Sequence, residues 1–240
     1  MVSCDLTGLD TSNVKNMNSM FYNCKLFSEL DLSSFDTRKV TDMNGMFSGC
    51  SGLISLNLSG FNTNKVTTMY SMFNHCSSLM SLDLSDFDTS NVIRMNNMFY
   101  GCKSLVMLNI SSFNVGKVID FKCMFRECSG LTDVLLFEGN SVNVTSMRCM
   151  FYDCSSLVHL DLSSFDTSKV TNMYGMFKGC SKLVTLDLSS FDTSKVDSMY
   201  DMFDGCKVLS QVNLGSDFCF GGNNVQITTY RAKLPIPPTS

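Results

Sequence analysis

The chain has 240 residues, 44% of them apolar and 17% charged, with a net charge of −4. This is too apolar for a disordered chain, and its Lys and Arg are spread along the length rather than clustered, which disfavours nucleic-acid binding. No apolar run approaches the roughly 18 residues that a membrane span needs, so no membrane insertion is expected within this sequence.

The chain opens "MVSCDLTGLD", with no visible signal peptide and already inside a repeated pattern. Cys4, Leu6 and Leu9 stand where a polar cap would close a stack of repeats, so the segment reads as a piece of a longer chain. From there the pattern is strict. Phe occurs at 21, 47, 73, 99, 125, 151, 177 and 203, always preceded by Met and followed three residues later by Cys. Val recurs at 14, 40, 66, 92, 118, 144, 170 and 196. The spacing from Phe21 to Phe47 holds to the end of the series without insertion, and eight repeats follow one another. A period of this size marks a solenoid, in which each unit buries its apolar face only against its neighbours.

The unit from Leu160 to Thr185 stands for the rest. In "LDLSSF", Leu160 and Leu162 alternate with Asp161 and Ser163, the two-residue period of a short strand with one buried face. Asp166 follows, at a position that is Asp or Asn in every repeat: Asp10, Asp36, Asn62, Asp88, Asn114, Asn140, Asp166 and Asp192. Side chains of this kind accept backbone N–H bonds two or three residues on, as in an Asx-turn or a helix N-cap. Val170, Met173, Met176, Phe177, Cys180 and Leu183 then fall on what reads as one face of a short helix, with Gly179 at its end. The expected fold is an α/β solenoid: a right-handed stack of strand, turn and short helix, with a parallel β-sheet on one face. Residues 1–214 form the eight-repeat solenoid, 215–234 a C-terminal cap containing "VQITTYRAKL", and 235–240 a Pro-rich linker.

Eight of the twelve Cys form one series at a fixed position and read as core thiols. No C-x-x-C pair is present for a zinc site. Cys123 and Cys149 share a different position in adjacent repeats; they are a candidate disulfide if their Cα atoms lie within about 7 Å. Two Met per repeat lie on the inner stripe and read as core filling, with a thioether metal cluster as the alternative. His75 and His159 occupy unrelated repeat positions.

Function is sought where the pattern varies. The outward strand positions carry mostly Ser with a row of Asp and Asn, and Asp31, Asp83, His159, Asp161 and Asp187 are candidate binding residues on this polar face. The row reads either as a solvated surface or, alternatively, as a place where a divalent cation neutralises stacked carboxylates. The fifth strand breaks the rule by reading "VLLFEGN". Leu135 and Phe137, with Met107 next door, are either an exposed apolar contact patch or, for Phe137, a replacement for the Phe missing at Gly139. No Ser–His–Asp set, Gly-rich phosphate loop or isolated carboxylate pair suggests an enzyme, and no cofactor is expected.

The stretch from Cys180 to Phe191, C-x-x-L-x-x-L-x-L-S-x-F, resembles the leucine-rich repeat pattern, with Phe where Asn is usual. Its continuation, FDT(S)KVTxMxxMFxGCSxL, is similar to the BspA-like branch of that group over residues 4 to about 214. The closing "VNLGSDFCFGGNNVQ…LPIPPTS" resembles the exit that follows such repeats in secreted proteins of Gram-positive bacteria. The resemblance implies an extracellular or cell-wall-associated protein that adheres to host or microbial proteins or glycans. The alternative is a structural spacer that presents another domain and holds no ligand. The resemblance carries over no binding residue.

Overall fold

A computed structural model describes residues 6, 8–137, 139 and 141–220. Cys4, Asn140, Gly221, Gly222, the segment 225–234 and the linker 235–240 lie outside the described residues.

Among the described residues there are six strands: β1 (Glu29–Asp31), β2 (Ser55–Asn57), β3 (Met107–Asn109), β4 (Asp133–Leu135), β5 (Thr185–Leu188) and β6 (Gln211–Leu214). They pair in parallel, β1 with β2, β3 with β4 and β5 with β6, and every registered pair lies one repeat apart, as Leu30 with Leu56. The chain is therefore a stack of coils, numbered here 1 to 8 by the Phe at 21, 47 and so on to 203. The sheet is three separate pairs rather than one continuous ladder.

The segment expected to be a short helix is not one, and no helix occurs among the described residues. Its N–H groups divide into two sets. In coil 2 the N–H groups of Met43, Gly45, Phe47 and Gly49 donate across to the carbonyls of Thr68, Tyr70, Met72 and Asn74 of coil 3, at 3.2, 2.8, 2.9 and 2.7 Å. Those of Met46, Ser48 and Cys50 donate three residues back, to Met43, Gly45 and Phe47. An α-helix would spend its N–H groups on carbonyls four residues back and leave none for a neighbour. A helix this short is also marginal alone. A chain of turns satisfies the same groups and binds the next coil with half of them.

The turns require a left-handed residue twice per coil. One row holds Ser19, Gly45, Ser71, Asn97, Cys123, Cys149, Gly175 and Asp201, and the other Asn23, Gly49, His75, Gly101, Glu127, Asp153, Gly179 and Gly205, with φ between 54° and 79°. Gly179 is thus a turn residue and not a helix end. A ladder of parallel bridges runs beside the turns without interruption, from Asn16 with Asp42 through to Asn172 with Ser198.

The core lies between the strands and the turns. The Val, Met, Phe, Cys and Leu rows are buried through the middle coils. The eight Phe rings from Phe21 to Phe203 stack nearly parallel, with centroids 5.3–6.0 Å apart and planes within 2–9°. Each thiol from Cys50 to Cys206 donates to the Phe carbonyl of the preceding coil, at 2.9–3.2 Å. The Cys row is core, and it is also hydrogen-bonding equipment.

A second side-chain ladder uses buried hydroxyls. Thr37 Oγ1 donates to the Asn62 carbonyl at 2.9 Å and accepts the Asn62 N–H at 2.7 Å. Thr11, Thr63, Thr89, Ser141, Thr167 and Thr193 also donate to the next coil. The Asp and Asn expected at the turn that lie among the described residues accept the N–H two residues on, as Ser168 to Asp166 at 2.9 Å. They are Asx-turns and cap no helix. Of the expected cap, residues 215–220 are described and still follow the repeat: Cys219 N–H donates to Thr193 Oγ1 at 2.7 Å. Among the described residues no buried side-chain nitrogen or oxygen lacks a partner.

Candidate functional site

Asp31, Asp83, His159, Asp161 and Asp187 are all exposed on the strand side of the coils. The four carboxylates have a local task. Asp31, Asp83, Asp161 and Asp187 accept the N–H of Ser33, Ser85, Ser163 and Ser189 at 2.8–3.0 Å, closing a turn after each strand position. These serine bonds hold the four carboxyls below the usual carboxylate range. Where Asn sits next door it relieves the row: Asn57 Nδ2 donates to Asp31 at 2.9 Å and Asn213 Nδ2 to Asp187 at 3.3 Å. Among the described residues no group of three or more His, Cys, Asp or Glu is placed to hold a metal ion.

Met107 and Leu135 stand on the same face, 58% and 48% exposed. They are not directly opposed, because Met107 registers with Asp133 and Leu135 with Asn109. Phe137 is different and corrects the three-residue apolar patch. It is 1% exposed and packs against Phe121 at 5.2 Å and Phe165 at 4.9 Å. Gly139 supplies no ring to the row of Phe113 and Phe165, and Phe137 turns inward and packs against Phe165 instead. Phe121 helps, since it replaces the Met of its row with a larger side chain. The outward pull of strand alternation loses here to the cost of an unfilled core.

The turn face carries a surface that the strand-centred reading missed. The residue after each core Phe projects outward, and in coils 4 to 7 it is Tyr100, Arg126, Tyr152 and Lys178. The Arg126 guanidinium sits 5.4 Å from the Tyr100 ring and 4.6 Å from the Tyr152 ring, and Lys178 Nζ sits 5.9 Å from Tyr152. Four positions earlier along the chain a second row runs alongside. There Arg148 lies 5.0 Å from the Tyr174 ring, which stacks on Tyr200 at 6.1 Å. Glu127 anchors one end, accepting from Arg126 Nε at 3.3 Å and from the Tyr100 hydroxyl at 3.2 Å. Asp201 and Asp204 hold Lys178 at 2.6 and 3.0 Å, raising its pKa. The sequence signal was present: this position reads Tyr, Ser, Asn, Tyr, Arg, Tyr, Lys, Asp down the stack while the Met and Phe before it never change.

Beneath this surface lie Cys123 and Cys149, as free thiols at the same position of adjacent coils. Both are buried.

Comparison with solved structures gives the fold. A leucine-rich repeat protein of T. pallidum matches with TM-score 0.52 and 24% identity, covering 76% of this chain and 77% of its own. A leucine-rich repeat protein from Bacteroides ovatus (TM-score 0.41, 19% identity, 86% of this chain, 66% of its own) also matches. So does a leucine-rich cell surface protein from Faecalibacterium prausnitzii (TM-score 0.31, 14% identity, 92% and 79%). No curated protein sequence matches. No helix among the described residues is long and apolar enough to cross a membrane. The sequence matches one family over residues 2–105, 50–135, 75–156 and 132–218, nearly its whole length. With a BspA-like leucine-rich repeat stack as its fold, the chain belongs to the family described as "Mycoplasma protein of unknown function, DUF285".

Proposed function

We propose that the protein is an extracellular or cell-wall-associated binding module that holds a protein partner on the turn face of coils 4 to 8. The observation that carries this reading is the row Tyr100–Arg126–Tyr152–Lys178, with Arg148–Tyr174–Tyr200 beside it. Tyr and Arg are the residues that dominate binding energy at protein interfaces. Here they are held in place before any partner arrives. An arginine stacked between two rings has little rotamer freedom left to lose on binding. The bridge ladder beneath the rows fixes their spacing. The cell-surface description of the Faecalibacterium protein agrees in kind with the proposed location.

Met107 and Leu135 form a second, smaller candidate contact on the strand face, whose other coils carry the polar candidates Asp31, Asp83, His159, Asp161 and Asp187. The test is surface plasmon resonance of the full chain over purified extracellular-matrix proteins. Arg126→Ala with Tyr152→Ala should weaken a detected interaction at least tenfold, and Met107→Ser with Leu135→Ser should change it less. Retained affinity in the first variant removes the turn face as the site. Absence of binding to every protein tested, and to a glycan panel, leaves the stack as a spacer that presents another domain.

A further inference from the structure

The junction between coils 5 and 6 lacks one cross-coil device that both of its neighbours have. It has no described strand pair, as is also true between coils 6 and 7, and Ser164 Oγ donates across it to the Phe137 carbonyl at 3.0 Å. The hydroxyl ladder is interrupted there, because coil 5 carries Val115 where other coils carry Thr or Ser, and valine can neither donate nor accept. The same coil carries Gly139 in place of the core Phe.

On the opposite face this junction has what no other junction has. Cys123 and Cys149 occupy the left-handed turn position, with φ 55° and 54°. The Cys123 N–H donates to the Arg148 carbonyl at 2.9 Å, which fixes the two turns, and the two cysteines they carry, side by side. We propose that Cys123 and Cys149 are a redox pair whose disulfide clamps coil 5 to coil 6.

The roles within the pair follow from their surroundings. The neighbouring Cys123 thiol, together with Arg148 and Arg126, favours the charged form of Cys149, so Cys149 holds a thiolate more readily than an ordinary cysteine; burial opposes this less strongly. Cys123 is pushed the other way by Cys149 and by burial. With a low-molecular-weight disulfide as oxidant, the Cys149 thiolate attacks one sulfur, displaces one thiolate and forms a mixed disulfide. Cys123 then gives up its proton to solvent, attacks the Cys149 sulfur and expels the second thiolate. Two protein thiols are oxidised and one external disulfide is reduced to two thiols. Cys123 is 7% exposed and Cys149 1%, so the reaction waits on local opening of the turns and is slow. The inference does not depend on the proposed binding function.

The experiment treats the full chain with oxidised glutathione and follows intact mass, tryptic peptides and thermal unfolding. The expected product has lost two hydrogens, yields one peptide pair joined through Cys123 and Cys149, and unfolds on the order of 5 °C higher, reversibly with dithiothreitol. Cys149→Gly places at this position the residue that Gly45 and Gly175 supply in sister coils, so it should fold and should lose both the cross-link and the shift. Glutathione adducts on the exposed Cys219 without a cross-link would overturn the proposal. So would a cross-link that leaves the unfolding temperature unchanged, or a shift that persists in Cys149→Gly.

Discussion

The Cys102 thiol donates to the Phe73 carbonyl at 3.1 Å, and that carbonyl also accepts the N–H of Cys76 from its own coil at 3.1 Å. One oxygen thus joins a local turn to the next coil, and the motif repeats down the stack. A cysteine at this place fills a small apolar site and supplies a weak donor at once.

Replacing Cys102 separates the two contributions. Cys102→Ala should cost about 1–2 kcal/mol, from lost packing and a weakened carbonyl. If the thiol acts as a donor, Cys102→Ser retains a donor at the same atom and should cost no more than Ala. If the thiol is only apolar filling, the buried hydroxyl goes unmatched and Ser should be the worse of the two. Urea unfolding of both variants decides the point.

Alkaline pH should destabilise the stack. Burial pushes Cys76, Cys102, Cys154 and Cys180 far above the ordinary thiol value and Cys128 up to about 12. In the unfolded chain these thiols ionise near about 8.5. Above that pH the unfolded state has lost protons that the native state keeps, so stability falls as pH rises. Each buried thiol adds up to about 1.4 kcal/mol per pH unit to the slope. Thermal unfolding followed between about pH 7.5 and about pH 9.5 should show a steep loss in the parent and a shallower one in Cys102→Ala combined with Cys128→Ala. Equal slopes would falsify the assignment.

Gly45→Ala tests the turn chain by sign. A Cβ at Gly45 meets nothing nearer than the Ser19 hydroxyl at 3.5 Å, so space is not the obstacle. The obstacle is its φ of 55°. In a helix the change would stabilise by about 1 kcal/mol; in a left-handed turn it should destabilise by about 1 kcal/mol or more. A lowered unfolding temperature is the expected result, and a raised one favours the helix.

Phe137→Ala should cost about 3–5 kcal/mol, since the ring is buried between Phe121 and Phe165. Leu135→Ser, two residues away on the exposed face, should leave stability within about 0.5 kcal/mol. Similar losses in both would place the two side chains in the same environment and remove the inward turn of Phe137.

The amino-acid pattern alone determined the period, the stacking and which side of each coil is dry. Those follow from local spacing: Val170, Met176, Phe177 and Cys180 recur identically in coil after coil, and only a neighbour at the same register can cover them. The Asx-turn at Asp166 was equally legible, because its hydrogen bond closes within two residues. The helix was a misreading with a visible cause. The apolar steps are three, three, one, three and three, whereas a helix of about 3.6 residues per turn mixes threes and fours; steps of three are the spacing of successive turns. Tertiary structure decided the rest. Half of the turn N–H groups bond into the following coil, as Phe47 does to Met72, a choice that exists only once that coil is in place. The direction of Phe137, the Arg126 stack between Tyr100 and Tyr152, and the meeting of Cys123 with Cys149 likewise depend on contacts between coils. They arise because one full repeat along the chain becomes a single coil spacing across the stack, a distance that no window of local sequence can measure.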